Sequence, residues 1–142
     1  MYSPTSILLF ADLLHEANRD LSSDFVEFAD LSDDIQRDCT ATAANLLAVV
    51  HPWCPAAGSA PFADAVDWLA RHISAAVMRT ATQGGAKAEH VAMLAFDRLS
   101  DAGQAILRAQ ATYLLARFGF KDTPSLGARD NGDPARRSPS AA

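Results

Sequence analysis

The stretch SDDIQRDCTATAANLLAVV, residues 32–50, decides the fold class. Ser32 offers a side-chain oxygen to the open amides of a helix start, and Asp33 and Asp34 follow where the positive end of the helix dipole favours carboxylates. Ile35, Cys39, Ala43, Leu46 and Val50 then recur at helical spacing, which predicts one buried stripe. His51-Pro52 ends the run, because proline has no amide hydrogen to continue the ladder. Three further segments carry the same grammar. Ser3-Pro4 predicts a first helix over about residues 4–20, with Ile7, Ala11, Leu14 and Asn18 on one side. From Pro61, the residues Phe62, Val66, Leu69, Ile73 and Val77 predict another, with Asp64, Asp67 and Arg71 towards solvent and Gln83-Gly84-Gly85 as its stop. Ser100 caps a last helix with Ile106, Leu107, Ala111, Leu114, Leu115 and Phe118 inward and Gly119 beyond its end.

The expectation is an all-α fold, a single compact domain of about four main helices over residues 1–120. Composition agrees: 29 of the 142 residues are Ala, against 7 Gly and 7 Pro, and Ala loses least on entering a helix. Leu21–Asp30 reads as a loop anchored by Phe25, Val26 and Phe28. His51–Pro61 holds three prolines and reads as a connecting loop, with Trp53 at the edge of the core. Residues 87–96 fit a short helix or a folded-back loop. Trp68, beside the Leu69 and Ile73 stripe, reads as a core anchor. Lys121–Ala142 has few large apolar side chains and is expected to be a disordered C-terminal tail, because burial cannot offset the entropy of ordering it. No internal repeat and no heptad pattern is evident.

The net charge of −5 is unevenly placed. Residues 1–40 carry nine Asp or Glu against Arg19 and Arg37, whereas residues 41–142 carry ten basic and eight acidic side chains. An acidic chain without clustered Lys and Arg argues against nucleic-acid binding. The acidic run reads either as a solvated helix face or as a docking face for a basic partner, formed by Asp24, Glu27, Asp30, Asp33 and Asp34 together with Asp20. No apolar run reaches the length of a membrane span, and Asp12, His15, Glu16 and Arg19 interrupt what a signal peptide would keep apolar, so a cytoplasmic protein with no membrane partner is expected. Cys39 and Cys54 would then remain thiols.

The densest polar cluster is His15-Glu16-Ala17-Asn18-Arg19. Helical spacing puts His15, Asn18 and Arg19 along one side, where they read as an anion-binding set or as ordinary surface charge pairs. His51-Pro-Trp-Cys54 has the spacing of a metal pair, which His72 and His90 would have to complete; neither a metal nor a cofactor is expected. Phosphate-loop, nucleophile-elbow and His-Glu-x-x-His patterns are absent, so the chain is expected not to be an enzyme. The catalytic alternative would use His15 and Glu16 as acid and base.

Four pieces, taken in order, carry a resemblance. They are His15-Glu16-x-Asn18-Arg19; Phe28-x-x-Leu31 followed by Ile35-Gln36; Trp68-Leu69-Ala70; and Lys87-x-x-His90 with Phe96-Asp97-x-Leu99. Together they resemble the prokaryotic and phage members of the ryanodine-receptor-like (RyR) domain family, over about residues 5–118. The chain departs from the family where Ala76–Thr80 replaces Gly-Trp-x-Tyr-Gly and where Val91 and Ala95 replace prolines. The resemblance implies a small helical, non-enzymatic binding module, often encoded by phage or prophage, that recognises a nucleotide-like signal or a host defence protein. It also implies that Lys87 and His90 approach His15, Asn18 and Arg19 to form one site for a small anionic ligand. The other expectation is a protein-interaction module working through the acidic face.

Overall fold

The computed structural model describes residues 2–53 and 64–122. Its elements are α1 (Pro4–Glu16), α2 (Asp33–Leu47), β1 (Val50–Trp53), α3 (Ala65–Gln83), α4 (Ala88–Ala92), α5 (Asp101–Leu115) and β2 (Gly119–Asp122), with 3-10 turns at Arg19–Leu21, Phe28–Asp30 and Phe96–Arg98. The fold is all-α: four long helices carry the core, and α4 and a two-stranded ribbon are minor additions. Helix α3 is the central element, flanked by α2 and α5, and α1 packs on the other side of α2. Leu46, Leu69, Ile73, Leu114 and Val50 are the largest fully buried side chains. They come from α2, α3, α5 and the start of β1, so each long element except α1 places a large aliphatic at the centre.

The helix starts follow the sequence grammar. Ser3, Ser32 and Ser100 each cap their helix by accepting from the amide three residues on, namely Ser6, Ile35 and Gly103. The ends of the stripes are where pattern reading fails. Ile35 and Ile106, expected inside, are exposed. A step of four residues overshoots the helical turn by about 40°, so two steps rotate Ile35 well away from Ala43. Ile106 lies one residue, about 100°, from the inward-facing Leu107. Trp68 is half-buried on the core's rim, edge-on to His72 with ring centroids 4.9 Å apart, and is not a central anchor. Helix α1 stops at Glu16 and not near residue 20: Ala17 is its C-cap and the chain continues through the 3-10 turn at Arg19–Leu21.

The ribbon corrects two expectations. Helix α2 ends at Leu47, so Val50, expected on its stripe, and His51–Trp53, expected in a loop, form a strand that pairs antiparallel with Gly119–Asp122, where Lys121 and Asp122 are expected in the tail. Pro52 is tolerated because both strands of a two-stranded ribbon are edges. Phe118 and Phe120 join Phe10 in an aromatic cluster, with centroids 5.8 to 6.5 Å apart, which holds the ribbon to α1. The segment 87–96 resolves as α4 followed by a 3-10 turn, and Ser74 on α3 donates to the Leu94 carbonyl at 2.7 Å to fix it. The expectations for Cys54, Pro61, Phe62 and the tail from residue 123 lie outside the described residues.

The two halves of the chain are built alike, contrary to the expectation of no internal repeat. Phe28–Ala48 and Phe96–Ala116 share ten of 21 residues without a gap, including Phe-x-x-Leu-Ser-Asp-x-x-Gln at Phe28–Gln36 and Phe96–Gln104. Both copies fold as a 3-10 turn, a serine cap, a helix and a strand. In both, the glutamine side chain reaches back to the turn: Gln36 Nε2 donates to the Phe28 carbonyl at 3.0 Å, and Gln104 Nε2 to the Phe96 carbonyl at 2.9 Å. Antiparallel pairing of the two equivalent strands is the arrangement a two-fold relation between halves produces. The repeat escapes a search by period because only two copies exist and the preceding helices differ, 13 residues in α1 against 19 in α3.

Candidate functional site

Helix α1 and the segment after it set His15. Its Nε2 lies 2.6 Å from the Val26 carbonyl oxygen, which can only accept, so Nε2 is the donor. The ring stacks on Phe25, with centroids 4.7 Å apart and planes 22° from parallel. Arg19 lies over the same Phe25 ring, its guanidinium carbon 4.6 Å from the centroid. That guanidinium binds both carboxylate oxygens of Glu16 and, at 2.6 Å, Glu27. These hydrogen bonds hold Arg19 well above its ordinary pKa and pull Glu16 below the usual carboxylate range. Arg19 is therefore engaged by two carboxylates of its own chain.

Two neighbouring cavities lie beside this cluster. The smaller, about 200 Å³, is lined by Leu14, His15, Asn18, Asp38, Cys39, Thr42, Ile73, Val77 and Gln110. Across it, Gln110 Nε2 donates to Asn18 Oδ1 at 2.7 Å. The larger, about 520 Å³, shares Asp38, Thr42 and Val77 and continues along Thr80, Ala81, Gly84, Gly85 and Ala86 at the end of α3. Burial, followed by the charge of Asp38, pushes the Cys39 thiol up. Of the five residues expected to form one anion site, His15 and Asn18 line the same cavity, while Arg19 is turned to Glu16 and Glu27. Lys87 is the exposed N-cap residue of α4, directly after Ala86, and His90 is exposed on the same short helix. The structure thus brings two of the five together at one cavity wall and leaves Lys87 one residue beyond the far end of the neighbouring cavity.

Asp24, Glu27, Asp30, Asp33 and Asp34 are all exposed. Glu27 pairs with Arg19 and Asp34 with Arg37 at 2.8 Å, while Asp20, Asp24, Asp30 and Asp33 have no ion-pair partner among the described residues. Leu21, Val26 and Ile35 are exposed in the same stretch, at 44%, 44% and 50%. Among the described residues no three His, Cys, Asp or Glu side chains gather as metal ligands. His51 Nδ1 is hydrogen-bonded to the Tyr2 hydroxyl and His72 lies against Trp68, while Cys54 lies outside the described residues. No helix among the described residues is long and apolar enough to cross a membrane.

Asp38, Thr42, Thr80 and Gln110 were not singled out from the sequence. Gln110 carried the best signal, a carboxamide between Leu107 and Ala111 on the inward stripe of α5. Asp38 merged with the general acidity of its neighbours. No family model, curated protein or solved structure matches this chain.

Proposed function

We propose that this chain is a non-enzymatic interaction module whose acidic N-terminal face docks a basic surface of a partner protein. The observation that carries this reading is the unpaired acidity of Asp20, Asp24, Asp30 and Asp33 with Leu21, Val26 and Ile35 exposed among them. Solvated charge alone needs no neighbouring apolar side chains, whereas an interface uses apolar contact for affinity and complementary charge for orientation and on-rate. The catalytic alternative is disfavoured by the commitments of its two residues, since His15 Nε2 is held by Val26 and Glu16 by Arg19. The nucleotide-like ligand reading is disfavoured because Asp38, on the wall of the cavity bearing His15 and Asn18, would repel an anion there, and Arg19 is engaged by Glu16 and Glu27.

Kinship with the RyR-like family belongs to the same proposal. Its support is that the four motif pieces fall at the end of α1 and the turn after it, on the turn and start of α2, on α3, and on α4 with its N-cap and following turn. The module would act in a prokaryotic cytoplasm, on a host or defence complex of the kind phage-encoded members address. The test is Asp24→Lys, Asp30→Lys and Asp33→Lys combined, compared with Asp64→Lys and Glu89→Lys combined as a control outside the face. Partners captured from the native host are identified, and their Kd is measured at low and high salt. Loss of at least tenfold in affinity on the face alone, with strong salt dependence, is expected. Equal effects from both variants overturn the reading.

A further inference from the structure

We propose that the two adjoining cavities form a single cleft that takes an organic cation, a guanidinium or primary ammonium on an aliphatic stem, with its charge held at Asp38. This goes beyond the docking face and does not depend on it. Three features of the cleft converge. The first is charge: among the residues lining the two cavities Asp38 is the only Asp, Glu, Lys or Arg, and its carboxylate has no ion pair or hydrogen bond among the described residues. It sits on the wall the cavities share, so a cation in either is near it.

The second is the end of α3. Thr80, Ala81 and Gly84 line the larger cavity, and α3 is the longest helix, 19 residues, so the negative end of its dipole faces this space. The chain closes that end with Gly85 at φ +90°, which lets the Ala86 amide donate back to the Ala81 carbonyl at 3.0 Å. The third is the lining. Leu14, Ile73 and Val77 give apolar walls for a stem. Thr42 and Thr80 bond each other at 2.8 Å, so their hydroxyls are held in place between the walls. The carboxylate of Asp38 and the C-terminal end of α3 both favour a positive guest. At about 520 Å³ the larger cavity falls within the roughly 300–1,000 Å³ of small-molecule sites.

The internal repeat shows that this acidity belongs to one half only. Asp38 and Thr42 correspond to Ile106 and Gln110, so the equivalent helix carries an aliphatic residue where the cleft has its charge. The same chemistry could be presented by a free alkylguanidine or polyamine, or by an arginine or lysine side chain of a bound protein, and two probes separate these sources. Full-length protein is titrated with agmatine and, separately, with an acetylated and amidated Gly-Arg-Gly peptide, following backbone amide shifts by NMR. Saturable shifts at Asp38, Thr42, Val77 and Gly84–Ala86 are expected. A free cation is indicated if agmatine binds more tightly, and a protein side chain if the peptide binds at least as tightly.

Asp38→Asn is expected to weaken either at least tenfold with an unchanged melting curve, and Ala86→Phe, which fills the larger cavity, to abolish it. The combined Asp24, Asp30 and Asp33 reversal is expected to leave it intact, so failure of the docking reading and failure of this one are distinguishable. Absence of saturable shifts with both probes, or unchanged binding by Asp38→Asn, overturns the proposal.

Discussion

Replacing Gln36 by Ala tests what holds the N-terminal half together, because the same residue recurs at Gln104 with fewer partners. Gln36 Nε2 faces the carbonyls of Phe28, Ala29 and Leu31 at 3.0, 3.2 and 3.1 Å, whereas Gln104 Nε2 faces Phe96 alone at 2.9 Å. An amide nitrogen has two hydrogens, so Gln36 satisfies at most two of the three carbonyls at once. At about 0.5–1.5 kcal/mol for each net hydrogen bond, truncation removes about 1–3 kcal/mol. The better helix propensity of Ala returns less than about 0.7 kcal/mol, leaving a net loss of about 1–2 kcal/mol. For a domain of this size, with about 3–5 °C of melting temperature per kcal/mol, Tm should fall by about 3–10 °C.

Gln104→Ala should cost less than half as much. Gln36→Glu discriminates between donation and packing: it keeps the shape but turns carboxylate oxygens towards three carbonyls, and should be worse than Ala. Thermal melts by circular dichroism and urea midpoints measure all three. Equal losses at Gln36 and Gln104, or a Glu variant milder than Ala, would refute the clamp.

Leu46→Ala and Leu114→Ala, equivalent positions that are both fully buried, should each cost about 2–5 kcal/mol by urea denaturation; a loss below 1 kcal/mol at either would mean that half lacks a rigid core. The guanidinium hydrogen bonds of Arg19, Arg108 and Arg71 lower the pKa of Glu16, Asp67 and Asp97 in the folded chain. Lowered folded values mean stability fully present above the ordinary carboxylate range near about 4 and lost as pH falls through the folded values. Tm should therefore be flat in this respect from pH 7 to 5 and fall below about 4, with a shallower acid slope in high salt; a slope unaffected by salt would refute the assignment. In a Cys54→Ser background, iodoacetamide at pH 8 should alkylate Cys39 at least about tenfold more slowly in the native protein than in urea, because burial and then Asp38 disfavour its thiolate. Equal rates would show the site to be open.

The helices were legible because their determinants are local. A serine cap, a stripe at three and four, and glycine or proline at the end act within one turn of themselves, so Ser32, Ala43 and Leu46 are read without knowing what they touch. The ribbon was not legible, since Val50–Trp53 becomes a strand only when Gly119–Asp122, almost 70 residues on, supplies its partners. The candidate sites divide along the same line. His15 and Asn18 share a helix side by spacing, and both reach one cavity. What Arg19 does was hidden, because Glu27 and Phe25 return to it through the fold-back after α1, and Gln110 meets Asn18 from 92 positions away.

The repeat gives that asymmetry a physical origin. Each half must present the same inward face, so Ala43 and Ala111, Leu46 and Leu114, and the Ser-Asp-x-x-Gln cap are retained, because changing any of them exposes a cavity or orphans a carbonyl. The outer positions are free of that constraint and differ. Where α2 carries Thr40, α5 carries Arg108, whose guanidinium carbon lies 5.1 Å from the Phe96 ring centre and whose Nε bonds Asp67 at 2.8 Å. Arg71 covers the same ring at 4.8 Å and forks onto Asp97 with both bonds at 3.0 Å. The second half thus neutralises its own acids around Phe96. The first half spends Arg19 on Glu16 and Glu27 and Arg37 on Asp34, and leaves Asp20, Asp24, Asp30, Asp33 and Asp38 without ion-pair partners among the described residues. Equal scaffolds thus carry unequal charge balance: around Phe96 the second half pairs Asp67 and Asp97, whereas the first half leaves a negative field over its acidic stretch.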